Sequence, residues 1–392
     1  MIKNKNKFIF LTLFIAYTSV YIARVNLSMA GPQLIREGVL DSAQLGILGS
    51  CFFVVYAFGR IVNGAISDTA PPWVMLTSGL MLVGLGNILM SLFPPFIGML
   101  LLWTINAYAQ SMLWSSVLGS VTAVYDEQAA KRKMSVMITS VAVGNILGII
   151  VNTLFIECFG IRYAFIVPGA LTFDMGILTY AAVREIGGAS AVKRRSSAFS
   201  VLKNRELMLM NGAAAAHGVM KENIGLWMAV YVADVYAADL TKSSYYILLI
   251  PAIGLLGRGI YPTLFRLCGK DENKVSLAAF AVCAAAAVFL CAGSIGIFFS
   301  VLALGIIYAA VSVINTSVLS IYPLRYSDTG NTASVSGTTD FSTYFGAGVA
   351  SAVYSAVIKH FVYLPMFVSW AVISVLSIFI LIVINKNSAA RA

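Results

Sequence analysis

The sequence predicts an all-α membrane protein of twelve transmembrane helices, arranged as two pseudo-symmetric halves of six. The first observation is composition: 59% of the 392 residues are hydrophobic and 11% are charged, whereas soluble domains are about 25% charged. The second is a series of twelve apolar stretches, each near the roughly 20 residues that a helix needs to cross a bilayer. The third is a motif repeated in both halves. The predicted spans are 8–31, 43–66, 73–93, 96–124, 134–157, 164–183, 206–236, 243–265, 275–293, 297–322, 332–358 and 365–384.

The distribution of lysine and arginine predicts the orientation of these spans. With both termini in the cytoplasm, 18 of the 26 basic residues fall on the cytoplasmic side and 4 in the outer loops. The first span lacks the cleavage pattern of a removable signal peptide, so we expect a retained helix. We therefore expect a multi-pass membrane protein with both termini in the cytoplasm. This bias accounts for the net charge of +10, so no nucleic-acid partner is expected.

A basic, polar segment separates the sixth span from the seventh. The expected organisation is a six-helix half at 1–183, a cytoplasmic linker at 184–205 and a second six-helix half at 206–392. Membrane transporters built from two such halves place their substrate site near the bilayer midplane where the halves meet.

Short matches between the halves support this division. Gly59-Arg60 and Gly257-Arg258 lie 198 positions apart near the ends of the second and eighth spans, and Arg24-Val25-Asn26 lies 197 positions before Lys221-Glu222-Asn223. Six-helix halves related by an axis along the membrane normal are typical of the major facilitator fold. In that fold Arg24 and Lys221 would be pseudo-symmetric partners, and we expect both to face one central cavity.

Ionisable residues inside membrane spans are costly and usually functional. Arg24 shares one helical face with Tyr17, Tyr21 and Ser28, which indicates a polar stripe on an otherwise apolar helix. The alternative is an arginine that pairs with a carboxylate for structural reasons only. Lys221 shares a face with His217.

Two intramembrane carboxylates have more than one interpretation. Glu222 points about 100° away from Lys221 on an ideal helix. We expect it either to neutralise Lys221 or a charge on a neighbouring helix, or to gain and lose a proton. Asp340 is a candidate proton carrier, because burial raises the pKa of a carboxyl group. The alternatives are that it is a counter-charge to Lys221 or that it has a structural role. Arg60, Asp68 and Arg258 are expected to form gate or hinge ion pairs.

Further polar residues are candidates for the lining of a substrate cavity. Polar residues in such helices more often form helix–helix hydrogen bonds than contacts with a ligand. Two cationic groups on one cavity predict an anionic substrate, because arginine and lysine both bind phosphate and carboxylate. The candidate lining residues are Gln110, Trp114, Asn145, Tyr308, Asn315 and Tyr344.

Several stretches resemble the organophosphate:inorganic phosphate antiporter family. YIARVNLSMAGPQL is similar to the family's Tyr-x-x-Arg-x-Asn pattern, and AQSMLWSS to its span-four signature. GRIVNGAISDTAPPWVMLTSGLML and YPLRYSDTGNTASVSGTTDFSTYFGAGVASA resemble two further segments. The resemblance implies the major facilitator fold, exchange of a sugar- or glycerol-phosphate for phosphate by rocker-switch alternating access, and a phosphate contact at Arg24.

The sequence also departs from that family. Lys221 stands where the family usually has a second arginine, Asp340 stands at a usually small position, and neither the span-five histidine nor a basic residue after Asp68 is present. These departures leave open a proton-coupled symporter of organic carboxylates such as sugar acids. A non-transporting sugar-phosphate sensor is a further alternative.

Other classes of protein are less well supported by the sequence. The two histidines lack a nucleophile or metal-ligand arrangement, no phosphate-binding P-loop occurs, and the five cysteines show no metal-ligand spacing. We therefore expect no enzyme activity, no cofactor and no metal site. The expected partners are a small anionic substrate, phosphate and membrane lipid, and the expected state is a monomer.

Overall fold

The computed structural model describes residues 2–67, 70–184, 204–293, 295–326 and 331–389. Every regular element among these residues is helical, which confirms the predicted fold class. Eleven helical segments in this part of the chain are long and apolar enough to cross a bilayer. The elements are α1 (Ile2–Arg36), α2 (Ser42–Ile66), α3 (Pro72–Met90), α4 (Phe96–Ser111), α5 (Leu113–Val124), α6 (Glu127–Met137), α7 (Thr139–Phe159), α8 (Tyr163–Val183), α9 (Arg205–Tyr236), α10 (Leu240–Leu267), α11 (Glu272–Leu290), α12 (Ile297–Ile314), a π-helical turn (Asn315–Ile321), a 3-10 turn (Tyr322–Tyr326), α13 (Thr332–Phe361) and α14 (Leu364–Ala389).

Helix α9 is the predicted seventh span, and it is not among the eleven. It is 32 residues long, but the charges of Lys221 and Glu222 interrupt its apolar run. Its surface is nevertheless well covered by protein, since His217, Asn223 and Trp227 are all fully buried. The helix is therefore an internal one whose polar residues face other helices rather than lipid.

Several predicted spans contain breaks that the hydropathy pattern does not reveal. The fourth span is divided at Met112 into α4 and α5. The fifth is preceded by α6, which begins where the side chain of Asp126 caps the helix by accepting a hydrogen bond from the backbone N–H of Ala129, at 2.8 Å. The tenth ends in the π-helical turn, where i to i+5 hydrogen bonding replaces the α-helical pattern.

The contacts divide the chain into two compact units. Unit 1 comprises Met1–Gln44 and Phe58–Lys193, and unit 2 comprises Leu45–Ala57 and Arg194–Ala392. The first part of α2 thus packs within unit 2. A side chain at Gly46 would meet Ser355 and Trp227, so its absence permits this close packing. Most of the predicted linker, residues 185–203, lies outside the described residues.

Unit 1 is held together by close helix crossings and buried amide groups. A Cβ at Gly84 would lie 2.7 Å from the carbonyl oxygen of Gly169, so α3 and α8 meet backbone to backbone. Asn26 on α1 donates to Asn87 on α3 at 2.6 Å. Asn152 on α7 donates to the carbonyl of Ile22 at 3.1 Å. These contacts satisfy polar groups that lipid cannot satisfy.

One helix crossing of unit 1 recurs in unit 2 with residues at the corresponding positions. A Cβ at Gly59 would overlap Ser111, and a Cβ at Gly257 would overlap the backbone of Ala309. The same 198 positions separate Gly59 from Gly257 and Ser111 from Ala309. The repeated motif of the sequence therefore marks a repeated helix crossing.

A charged network joins three helix ends within unit 2. Arg325, in the 3-10 turn, forms an ion pair with Glu272 at the start of α11 and a second, at 3.7 Å, with Glu206 at the start of α9. The side chain of Glu272 is only 8% exposed. The phenol of Tyr326 accepts a hydrogen bond from Asn204 at 3.1 Å. This network connects segments that are far apart in the sequence.

Replacement of Gly218 tests the crossing of α9 and α13. A Cβ at Gly218 would overlap the carbonyl oxygen of Thr343, so Gly218→Ala should force the helices apart and destabilise the protein by about 1–3 kcal/mol. The measurement is the Tm of the purified protein in detergent. Gly225→Ala on the same helix is the control, because no atom lies within 4 Å of its added Cβ. Equal Tm values for the two variants would contradict the predicted clash.

Replacement of Glu272 tests the charged network. Glu272→Gln removes one carboxylate from Arg325 and should lower the free energy of unfolding by about 1–3 kcal/mol, since hydrogen bonds between charged groups are the stronger ones. The control is Lys274→Gln, which removes a 60% exposed ammonium 3.8 Å from Asp271 and should change stability by less than about 1 kcal/mol. If both variants unfold at the same temperature, the network does not stabilise unit 2.

Candidate functional site

In unit 1 a chain of aromatic rings positions Arg24. The Arg24 guanidinium lies 5.6 Å from the centre of the Tyr21 ring, and the Tyr21 ring lies 5.5 Å from that of Tyr17. Tyr17 in turn contacts Trp114 of α5 at 5.3 Å. A guanidinium near a ring face is stabilised by the ring's quadrupole and keeps its in-plane N–H donors directed outward. Four predicted site residues therefore form one continuous cluster.

Helix α7 holds this part of α1 in place. A Cβ at Gly144 would lie 2.7 Å from the carbonyl oxygen of Thr18 and 2.5 Å from the Cβ of Tyr21. Gly148 packs in the same way against Ile22. Asn145, between the two glycines, is half-buried. The close backbone contact fixes the helix that carries Tyr21 and Arg24.

Gln110 is largely enclosed by protein. Its side chain is 3% exposed and donates a hydrogen bond at 2.8 Å to Asn106, one turn earlier on α4. Asn106 is fully buried and was not singled out by the sequence, although its four-residue spacing from Gln110 places both on one helical face. Gln110 therefore belongs to a buried amide pair.

In unit 2 the two adjacent charges of α9 contact each other. The Lys221 Nζ lies 2.7 Å from the Glu222 Oε1, and their side chains are 20% and 11% exposed. The contact brings together a predicted phosphate ligand and a predicted counter-charge. It places a carboxylate beside the ammonium in a protected environment.

His217, one turn before Lys221, is fully buried. Its Nε2 lies 3.5 Å from the side-chain amide of Asn315, which begins the π-helical turn. Two predicted site residues from distant spans are thus neighbours. A π-helical turn is frequent at functional sites because it presents side chains that a regular α-helix would direct elsewhere.

The remaining candidate cavity-lining residues of unit 2, together with Asp340, lie on α12 and α13. A Cβ at Gly254 would lie 2.5 Å from the Tyr308 ring, so this glycine accommodates the ring. The Tyr344 ring lies 4.5 Å from that of Tyr56 on α2. Asp340, one turn before Tyr344, is half-buried. Sequence reasoning missed Tyr56, since nothing in the pattern of α2 distinguishes it from other apolar positions.

The predicted gate or hinge residues are only partly described. Arg60 and Arg258 are half-buried near the ends of α2 and α10. Asp68 lies outside the described residues. The described part of the chain contains no group of three or more histidine, cysteine, aspartate or glutamate residues that could hold a metal ion.

Comparison with known proteins gives several related membrane proteins. The chain is 32% identical over 189 residues to a protein of Chlamydia pneumoniae named probable hexose phosphate transport protein, an alignment covering 47% of this chain and 42% of that one. It is 36% identical over 110 residues to the glycerol-3-phosphate transporter of Haemophilus influenzae, covering 27% and 23%. It is 23% identical over 274 residues to the membrane sensor protein UhpC of Escherichia coli, covering 64% and 62%. The aligned region thus spans less than half of either transporter. These relatives confirm the resemblance to the organophosphate:phosphate antiporter family.

Solved structures support the fold independently. A mutant form of the nucleoside transporter NupG superposes with a TM-score of 0.81 at 14% identity, covering 96% of this chain and 99% of that one. A bacterial homologue of the human lysosomal transporter Spinster gives a TM-score of 0.76, also at 14% identity, covering 97% and 95%. These structures show the fold, and the eleven apolar helical segments of the described residues, together with the membrane-protein relatives, show that the chain is a multi-pass membrane protein. The sequence profile of the Major Facilitator Superfamily matches residues 9–351, and the chain therefore belongs to that superfamily.

Proposed function

We propose that the protein is a secondary active transporter that exchanges an organophosphate, such as a sugar- or glycerol-phosphate, for inorganic phosphate. The observation that carries the proposal is Arg24, a half-buried arginine on a membrane-spanning helix that the rings of Tyr21, Tyr17 and Trp114 hold in place. An arginine positioned in this way suits phosphate, which accepts two parallel N–H hydrogen bonds from a guanidinium. The relatives named as hexose phosphate and glycerol-3-phosphate transporters support the same substrate class.

Lys221 is proposed to supply the second positive charge for the anion. An ammonium offers a compact charge without the planar fork of arginine, so Arg24 directs the phosphate group and Lys221 adds attraction. Tyr17, Tyr21, Trp114, Asn145, His217, Tyr308, Asn315 and Tyr344 are proposed to complete the polar surroundings of the substrate, with Gln110 in a supporting role.

Antiport by rocker-switch alternating access is proposed from the resemblance to the organophosphate:phosphate antiporter family, which the named transporter relatives support. In such an exchanger the substrate-bound form reorients more readily than the empty form. The excess of basic residues in alternate loops supports an orientation with both termini in the cytoplasm, and the bacterial relatives support a location in a bacterial inner membrane. The transporter is proposed to act as a monomer.

A sensor is the second candidate function. The alignment with the Escherichia coli membrane sensor covers more of this chain than either transporter alignment. A sensor would keep the phosphate-binding residues and bind sugar phosphates without moving them. Binding without flux therefore separates this candidate from the transporter.

Exchange of labelled phosphate tests the proposal directly. Purified protein in liposomes preloaded with phosphate, at equal pH on both sides, should take up external phosphate, and Arg24→Ala should lower the rate at least about 100-fold because the bidentate contact is lost. Arg36→Ala is the matched control, since it removes an exposed arginine from the same helix. Competition by glycerol 3-phosphate, glucose 6-phosphate and 3-phosphoglycerate identifies the organic substrate.

The other outcomes select between the alternatives. Phosphate binding without uptake would favour the sensor. Uptake of a sugar acid that requires a pH gradient and no internal phosphate would replace the antiporter with the symporter, and Asp340→Asn and Glu222→Gln would then be tested for loss of proton coupling.

A further inference from the structure

We infer that Glu222 is a resident counter-ion of Lys221, which an anionic substrate must displace before it gains the full attraction of the ammonium. The inference rests on the proposed function, because it requires Lys221 to bind an anion. It adds a residue that regulates affinity and release at that same position.

The two side chains meet although the helix directs them apart. Neighbouring residues on an α-helix point about 100° from each other, yet the Lys221 Nζ lies 2.7 Å from the Glu222 Oε1. At least one side chain therefore bends along the helix surface to make the contact. Lysine can do so because its four-carbon stem is flexible.

Burial makes this contact stronger than an ion pair in open water. The side chains of Lys221 and Glu222 are 20% and 11% exposed, so solvent screens their attraction only partly. An ammonium left without a counter-charge in such surroundings is unfavourable. The carboxylate thus fills the place that a substrate phosphate would take beside Lys221.

The backbone on both sides of the pair is fixed against α13. Gly218 lies so close to Thr343 that a Cβ would overlap its carbonyl oxygen. One residue after the pair, Asn223 donates to the carbonyl of Ala347 at 3.2 Å. A change of partner at Lys221 therefore requires rotation of its side chain and not movement of the helix.

Competition for the ammonium has a consequence for transport. While Glu222 competes, an anion binds more weakly but leaves more readily, because the carboxylate returns to Lys221 as the anion departs. An exchanger must release its substrate on both sides of the membrane in each cycle. Glu222 therefore lowers affinity and speeds release.

Glu222→Gln separates this role from a structural one. Since the amide cannot neutralise Lys221, the concentration of inorganic phosphate that half-saturates binding should fall about fivefold to tenfold, in keeping with a typical coupling between two binding events. Binding is followed through the rise in Tm of purified protein titrated with inorganic phosphate, and exchange in liposomes should show a lower maximal rate. A structural role would instead weaken binding or leave it unchanged.

Two further variants serve as controls. Glu157→Gln removes an exposed carboxylate from α7 and should leave phosphate binding as in the wild type. The double variant Lys221→Gln, Glu222→Gln should not show the increased affinity for inorganic phosphate, because the ammonium that attracts the phosphate is absent. If the double variant still binds inorganic phosphate more tightly than the wild type, the inference is overturned.

The outcomes also separate this inference from the proposed function. If the wild-type protein neither binds phosphate nor exchanges it, the proposed function fails. If the wild type binds phosphate and Glu222→Gln binds it no more tightly, only the counter-ion inference fails. Should Glu222→Gln not fold, Glu222→Asp decides: its shorter side chain reaches Lys221 less well, so phosphate binding should tighten, and unchanged or weaker binding would overturn the inference.

Discussion

The cost of leaving a polar group without a partner in the bilayer governs this structure. No water is present in the hydrocarbon region, so backbone groups must bond within helices and ionisable side chains must find partners or line a polar space. The chain accordingly places few charges in its spans, and those described have identifiable surroundings. Arg24 lies against Tyr21, and Lys221 contacts Glu222. Because burying a charge in the bilayer is costly, ionisable side chains occur at only a few positions in the described spans, and these positions are the candidates for function.

Small residues determine where the helices meet. Lipid gives no hydrophobic reason for helices to associate, and close packing with interhelical hydrogen bonds takes its place. Gly144 against Thr18 on α1 and Gly346 against Ala215 on α9 show this in the two units. Thr18 and Ala215 lie 197 positions apart, the same separation as Arg24 and Lys221. The two proposed phosphate ligands are therefore carried by helices that are fixed in equivalent ways.

The hydropathy pattern was sufficient to predict the all-α class and eleven of the spans, because length and apolar character are properties of single segments. It did not predict the break at Met112 or the π-helical turn, which depend on how neighbouring helices pack. It also missed the pairing of Arg325 with Glu206 and Glu272, since residues so far apart in sequence meet only in the folded chain. The roles of Arg24, Lys221 and Glu222 stay predictions for the same reason: chemistry at a site depends on its surroundings.

The π-helical turn at Asn315–Ile321 gives this segment one residue more than a regular α-helix would use. Because the extra residue is accommodated within the wider turn, the chain beyond it faces nearly as it would in an uninterrupted helix. Deleting one residue would therefore restore an α-helical turn and leave Arg325 directed toward Glu272. The side chains inside the turn would instead lose the directions that the wider turn gives them. A one-residue deletion thus alters the polar interior of unit 2 and spares the charged network at the helix ends.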